Sequence, residues 1–411
     1  MDKKVRLIGA VVATVALTAA LAACAPQANN PVTDEAAMNA VPAQDQFGVV
    51  VAEQWQGLYP NQYRTWLDNE ANSPESGKDN YLETYPQLAT MYKGYGFAKG
   101  YDEAASHSYT LRSIAETPRV NEKTLANCIT CKTPQYTAMV QAEGDSAYAK
   151  PFGEVLALMT EPVSCYNCHG NDPTQLEVTN GFYLNSLGNS VATTPVESQV
   201  CGQCHNEYYF NPQTKATTNP YVGTEAMTAE AILAYYDGIG FMDWEHPDTG
   251  APLLKAQHPE FETIYGGAGS RMAAAGFSCA DCHMATETDE AGTKYASHYL
   301  VSPLESEAQQ EKCALCHDDI AAEVRQWQEG VTQREHEIAA QIERYIQQLT
   351  AAKDSLDAAT LEQAQQIHRH AQFYWDYVMV ENSEGAHNPE ACHQNLDKAE
   401  ELLAEGFALL A

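Results

Sequence analysis

Apolar residues recur near the end of the chain at steps of three, four or seven: Ile320, Val324, Trp327, Val331, Ile338, Ile342, Tyr345 and Leu349. Side chains so spaced share one face of a 3.6-residue helix, so the spacing predicts one long amphipathic helix. A second helical pattern runs over roughly residues 357–379. A third opens at Asn388 and Pro389, an N-cap residue with proline at the first helical position, and continues through Leu396, Ala399, Leu403, Phe407 and Leu410. From residue 47 to about 303 the chain reads differently, as loop-rich sequence with short helical fragments and almost no strand alternation. The expected fold class is mainly α, without a sharp internal boundary. The long helix is expected either at a dimer interface or packed on its own neighbours.

At the other end, Lys3, Lys4 and Arg6 precede an unbroken apolar or small stretch over residues 7–23, followed by Cys24. A basic start followed by an apolar stretch is an export leader, too short and alanine-rich to be a spanning helix. Leu21, Ala22, Ala23 and Cys24 resemble a bacterial lipobox, which implies cleavage before the cysteine and lipidation of its thiol. An ordinary signal peptide is the alternative, and both export the protein. Residues 24–46 lack apolar periodicity and read as a tether.

Charge and cysteines change the picture most. Asp and Glu number 55 against 23 Lys and Arg, a formal charge of −32. Such a surface repels phosphate backbones, so nucleic acid is excluded as a partner. An anionic substrate would need a local cationic site to overcome that field. Ten of the twelve cysteines form Cys-x-x-Cys pairs: Cys128/Cys131, Cys165/Cys168, Cys201/Cys204, Cys279/Cys282 and Cys313/Cys316. Histidine follows four of them directly, as His169, His205, His283 and His317. This is the attachment signature of c-type haem: two thiols reach the porphyrin vinyl groups, and the histidine is held beneath the iron. Zinc ribbons place their cysteine pairs closer together and need no adjacent histidine, and disulfide frameworks belong to short chains. The core is therefore expected to be filled largely by haem, with five haem c groups covalently bound. The expected organisation is a leader over 1–23, a lipid-anchored tether over 24–46, a haem-binding catalytic region over 47–319, and a helical part over 320–411 suited to dimerisation.

The first pair breaks the pattern, because Lys132 stands where histidine is expected. A neutral lysine amine can ligate iron, but it must first lose its proton, which burial and the metal favour. One Cys-x-x-Cys-Lys followed by four Cys-x-x-Cys-His motifs resembles the ammonia-forming cytochrome c nitrite reductases, which are pentahaem enzymes. Further landmarks stand in the family's order. His107 to Arg112 and Glu116 to Arg119 lie upstream, Asn206 to Phe210 follow the third motif, and Lys255 to Glu260 come later.

The resemblance implies reduction of nitrite to ammonium on the open face of the lysine-ligated iron. It assigns Arg119, Tyr208 and His258 around nitrite, with Arg112 as the alternative arginine. Arginine supplies charge and donors to the oxygens, and histidine can donate protons or hydrogen bonds, titrating near neutrality. It implies a calcium ion held by the Glu207 carboxylate, the Gln257 side-chain carbonyl and the backbone carbonyls of Tyr208 and Lys255, all hard oxygen donors. It implies four conducting haems, with His298, His107 and His387 as distal ligands of the second, third and fourth. The family's usual histidine for the fifth is missing from residues 259–282, where Met272 stands instead and is expected to ligate that iron. His246, His336, His368, His370 and His393 carry no expected role, and Cys392 is expected to be a buried free thiol. Expected partners are a membrane-bound quinol-oxidising multihaem cytochrome as electron donor and a second copy of the chain, at the outer face of the cytoplasmic membrane or in the periplasm. A non-catalytic electron-conducting cytochrome is the rival reading, but a mere conductor gains nothing from Lys132 and its companions.

Replacing Lys132 by His tests this directly. K132H is expected to keep its haems, or to lose only the first, while nitrite turnover falls. Haem content measured beside activity checks it, and wild-type turnover in that variant would remove Lys132 from the site.

Overall fold

The computed structural model describes residues 42–72, 80–102 and 106–411. The leader, the lipobox cysteine and most of the tether lie outside the described residues. Helix dominates, as the apolar pattern predicts. Among the described residues strands amount to three antiparallel two-stranded ribbons, β1 (Tyr209–Phe210) with β2 (Thr217–Thr218), β3 (Trp244–Glu245) with β4 (Pro252–Leu253), and β5 (Thr286–Thr288) with β6 (Lys294–Ala296).

Short helices carry the attachment motifs. After α1 (Pro134–Glu143), α2 is the second motif itself (Cys165–His169), α3 (Val196–Gly202) leads into the third, α4 (Glu260–Tyr265) follows the His258 segment, and α5 is the fourth motif (Cys279–His283). Helices of five residues do not stand alone in water, so each is fixed at its start. Ser164 with Asn167, and Ser278 with Asp281, form reciprocal caps that satisfy the first backbone N–H groups of α2 and α5. In the third and fifth motifs the histidine N–H donates to the first cysteine's carbonyl at 3.0 Å, which puts the first cysteine and the imidazole on one helical face. The first motif is built otherwise. Cys131 has φ 65°, the left-handed region that costs a non-glycine residue about 1–3 kcal/mol, and Lys132 leaves the chain at a turn, not on a helix.

Three long helices close the chain: α6 (Ile320–Ala352), α7 (Ala358–Met379) and α8 (Pro389–Leu409). Their caps are those the sequence suggests. Asp357 accepts from the N–H groups of Ala359 and Thr360, and Asn388 from that of Ala391 with Pro389 at the first helical position. The apolar stripe of α6 is buried from Val331 onward, through Ile338, Ile342, Tyr345 and Leu349, while Ile320, Val324 and Trp327 stay only partly covered. These helices are not an appendage. Their buried faces share one core with Leu88, Met91 and Tyr92, with Ile232 and Tyr236, and with Leu253 and Phe261. A second, smaller core around Ile129, Tyr136, Phe152 and Val155 backs the first motif.

The closest approach in the bundle is at Gly406, where an added Cβ would lie 2.5 Å from Tyr345 and 2.8 Å from Ile367. Gly406→Ala is expected to lower stability by about 1–3 kcal/mol through overpacking. Gly238→Ala, where the added carbon meets nothing within 4 Å, is expected to leave the melting temperature unchanged or higher. Thermal melting of the two holoproteins checks the pair.

Candidate active site

Three pairs of imidazole rings face each other across the loop-rich body. Ring centres are 6.3 Å apart for His169 and His298, 6.2 Å for His107 and His205, and 6.1 Å for His283 and His387. A metal bonded to both rings of a pair, with bonds of about 2 Å and each ring nitrogen roughly 1 Å from its centre, requires about 6 Å. The rings do not touch, so each pair frames a gap of the right width for an iron atom. Their Nδ1 atoms point elsewhere. His169 donates to the Gln175 carbonyl at 2.6 Å, His298 to Ala296 at 3.0 Å and His283 to Val301 at 3.0 Å, while Glu381 takes the Nδ1 of His387. That leaves Nε2 free for a metal, with the ring's orientation fixed.

The histidines without an expected role behave differently. His246 and His368 are also buried together, 5.3 Å between ring centres. His246 donates from Nε2 to Thr90 and accepts at Nδ1 from the Asp248 and Thr249 N–H groups. His368 is held at both nitrogens by Thr249 and Gln372, each at 3.1 Å. With both nitrogens used, neither can bind iron, and they join the 246–251 turn to α7. His370 pairs with Asp237, Arg334 donates to His393, and His336 stacks on Tyr85. Cys392 is a buried free thiol.

The motifs lie against one another. Thiols of the first and third motifs, Cys131 and Cys204, are in hydrogen-bonding contact, as are Cys201 and Cys279 of the third and fourth. Asn180 reaches Cys204 at 3.6 Å and Cys131 at 3.9 Å. Cys128, Cys131, Cys165, Cys168, Cys201, Cys204, Cys279, Cys282 and Cys313 are free thiols. Thiol pairs, facing imidazoles and adjacent motifs together fit covalently held haems in electronic contact.

The fifth motif departs from this pattern. Cys316 is exposed, whereas the other nine motif cysteines are partly covered. His317 also differs. Its Nδ1 donates to Glu323 at 3.0 Å, and among the described residues no second imidazole stacks opposite it. Met272 lies on the short helix Arg271–Ala274 and is 42% exposed.

Around the first motif, burial pushes the Lys132 ammonium below the ordinary lysine range, and Arg119 acts in the same sense. Tyr208 lies in the field of Cys131, Cys128 and Arg119, and His258 in that of Lys132, His205 and Lys255. The structure thus gathers Arg119, Tyr208 and His258 beside Lys132. Burial drives His258 down to about 3, with the neighbouring cations adding to it and Glu260 opposing. Desolvation thus favours the neutral imidazole, which offers a hydrogen bond. Of the two arginines, Arg112 is 51% exposed in its side chain and pairs with Glu116 on its own helix, whereas Arg119 turns inward.

Sequence reading missed what holds Arg119. Its guanidinium sits 4.4 Å from the Phe97 ring centre and 5.7 Å from that of Tyr101, with its Nε donating to Thr117 at 2.9 Å. The Lys255 ammonium lies 5.2 Å from both rings and 3.4 Å from the Asp376 carboxylate. Aromatic faces attract these cations without neutralising them. The signal was present as four aromatic residues between Tyr92 and Tyr101 in a stretch otherwise reading as loop.

The proposed cation ligands also meet. Glu207 is wholly buried. Its carboxylate accepts from the Gln257 N–H at 2.6 Å and the Tyr236 hydroxyl at 2.8 Å, and burial holds its pKa well above the usual carboxylate range. The Gln257 amide donates to the Lys255 carbonyl at 3.0 Å, and turning that amide over would exchange its donor for an oxygen. One carboxylate among carbonyl groups suits a hard cation. Among the described residues no cluster of three His, Cys, Asp or Glu side chains could hold a metal ion by themselves, so carbonyl donors would have to complete the shell.

Known proteins agree with this geometry. The family model for cytochrome c552 matches residues 52–411. The cytochrome c nitrite reductase subunit NrfA of Nitratidesulfovibrio vulgaris is 29% identical over 408 residues, which cover 85% of this chain and 76% of that protein. Cytochrome c-552 of Parabacteroides distasonis is 30% identical over 381 residues, covering 84% and 74%. The catalytic subunit of cytochrome c nitrite reductase from Desulfovibrio desulfuricans, described with two calcium sites, superposes with a TM-score of 0.79 at 24% identity, covering 88% of this chain and 86% of that one. With these likenesses and the haem-attachment frame in place, the chain belongs to the cytochrome c552 family.

Proposed function

We propose that this protein reduces nitrite to ammonium, taking up six electrons and eight protons, at the haem attached through Cys128 and Cys131. One observation carries the reading. Three histidine motifs are each faced by a second imidazole, whereas the lysine motif lies within electrostatic reach of Arg119, Tyr208 and His258. Likeness to the NrfA relative supports the substrate.

The haem held there supplies an open iron position and the electrons delivered through the other four. Lys132 would hold its iron through Nζ, which burial prepares for deprotonation. Arg119 directs guanidinium N–H groups at the nitrite oxygens and, with Lys255, supplies the positive field that a chain of charge −32 otherwise lacks. Asp376 takes up the charge of Lys255, so Arg119 remains the cation available to an anion. His258 donates a hydrogen bond from its neutral ring, and the Tyr208 hydroxyl orients the nitrogen species as oxygen is removed. His298, His107 and His387 act as distal ligands of the second, third and fourth haems. Met272, 42% exposed and so not core filler, would serve the fifth.

Calcium at Glu207, Gln257 and the Tyr208 and Lys255 carbonyls would tie the Tyr208 segment to the His258 segment. Electrons would come from a membrane-bound quinol-oxidising multihaem cytochrome. The exported chain would pair with a second copy along α6, whose 33 residues span about 50 Å against about 33 Å for α7.

Ammonium formed from nitrite with a reduced dye as donor tests the activity. Dye oxidation without nitrite loss would make the chain an electron conductor. In the same assay Arg119→Ala is expected to raise KM for nitrite roughly 10- to 100-fold, the loss of a charge-assisted hydrogen bond of about 1.5–3 kcal/mol. Arg112→Ala should stay within about twofold, as an exposed ion pair contributes little.

Metal analysis of active protein is expected to find calcium, and Glu207→Ala to lose both calcium and turnover while keeping every haem. Active protein free of calcium would dismiss the site.

A further inference from the structure

The histidines read as iron ligands differ in what holds Nδ1. Neutral backbone carbonyls hold His169, His298 and His283. A carboxylate, Glu381, holds His387, and another, Glu323, holds His317. The third haem's His205 has the buried Glu260 carboxylate 3.7 Å from its Nδ1, a longer contact in which the Asn382 amide also donates to Glu260.

The two carboxylate pairs are not equivalent. Glu323 and His317 have side chains 38% and 30% exposed, so water screens them, whereas the Glu381 side chain is fully buried. The second Glu381 oxygen accepts from the Ser383 hydroxyl at 2.6 Å, and the Ser383 oxygen in turn accepts from the His387 backbone N–H at 2.9 Å. The carboxylate is thus locked in register with the ring it serves.

A carboxylate drawing on Nδ1–H gives an imidazole anionic character and makes it a stronger donor, which favours ferric over ferrous iron. In a low-dielectric interior that charge is undiluted. We infer that Glu381 is the residue that sets the potential of the fourth haem, holding it below that of the second, whose ligands are tied only to carbonyls. The inference rests on reading His283 and His387 as an iron pair. A lowered potential makes the fourth haem a poor place to store an electron.

The test uses the full holoprotein. Redox titrations followed by visible and electron paramagnetic resonance spectra are compared for wild type, Glu381→Gln and Ser383→Ala, with haem content measured for each. Glu381→Gln keeps the shape and removes the charge. One midpoint potential is expected to move positive while the others stay. Ser383→Ala frees the carboxylate from a competing donor, and the same haem is expected to move negative. Unmoved potentials in Glu381→Gln with intact low-spin bis-histidine signals overturn the inference alone. A wild-type spectrum without those signals overturns the ligand reading and the inference with it. Shifts of the same sign in both variants overturn it too, because they report a disturbed loop. Should Glu381→Gln fail to retain a haem, the sign of the Ser383→Ala shift decides.

Discussion

Facing imidazoles 6.1–6.3 Å apart bring together segments of chain that are far apart in sequence. Filled by iron, each gap becomes a cross-link closing a long loop, and loop closure of that kind offsets an entropy the short motif helices cannot meet alone. The rest of the body is arranged to keep those gaps open. Caps at Ser164 and Ser278 fix the motif helices, carbonyls and carboxylates fix the rings, and α6 to α8 supply much of the larger side-chain core.

Charge is organised on two scales. The whole chain is strongly acidic, yet Arg119 and Lys255 gather against the rings of Phe97 and Tyr101, with Arg119 within electrostatic reach of Lys132. Burying cations without carboxylate partners is costly, and here ring faces and a single carboxylate, Asp376, reduce that cost unequally. Lys255 is nearly neutralised and becomes structural. Arg119 keeps its charge.

How much of this was legible follows from what each feature leaves in a sequence. Thioether attachment imposes a covalent spacing, so every motif could be read directly, including the odd Lys132. Helices α6 to α8 announce themselves by period, although the period overstated burial at Ile320, Val324 and Trp327, where the helix runs beyond its neighbours. The expected distal residues His107, His298 and His387 came only through family resemblance, since partners across a gap share no local pattern. Glu381 left no trace for the same reason. The desolvation of His258 belongs to the fold and not to the residue type, so the sequence carries no mark of it. Asp376 is visible as a lone acid between Trp375 and Tyr377, but its partner Lys255 is fixed by packing alone.

The contacts between motif thiols bear on assembly. Cys131 lies against Cys204 and Cys201 against Cys279, so in an oxidising compartment the nearest available partner of these sulfurs belongs to a different motif. A chain that folded first would invite cross-linking between motifs and block two attachment sites with each wrong bond. The arrangement that later serves electron passage therefore demands an order of events: haem must be secured on the extended, reduced chain, motif by motif, before the body closes around it.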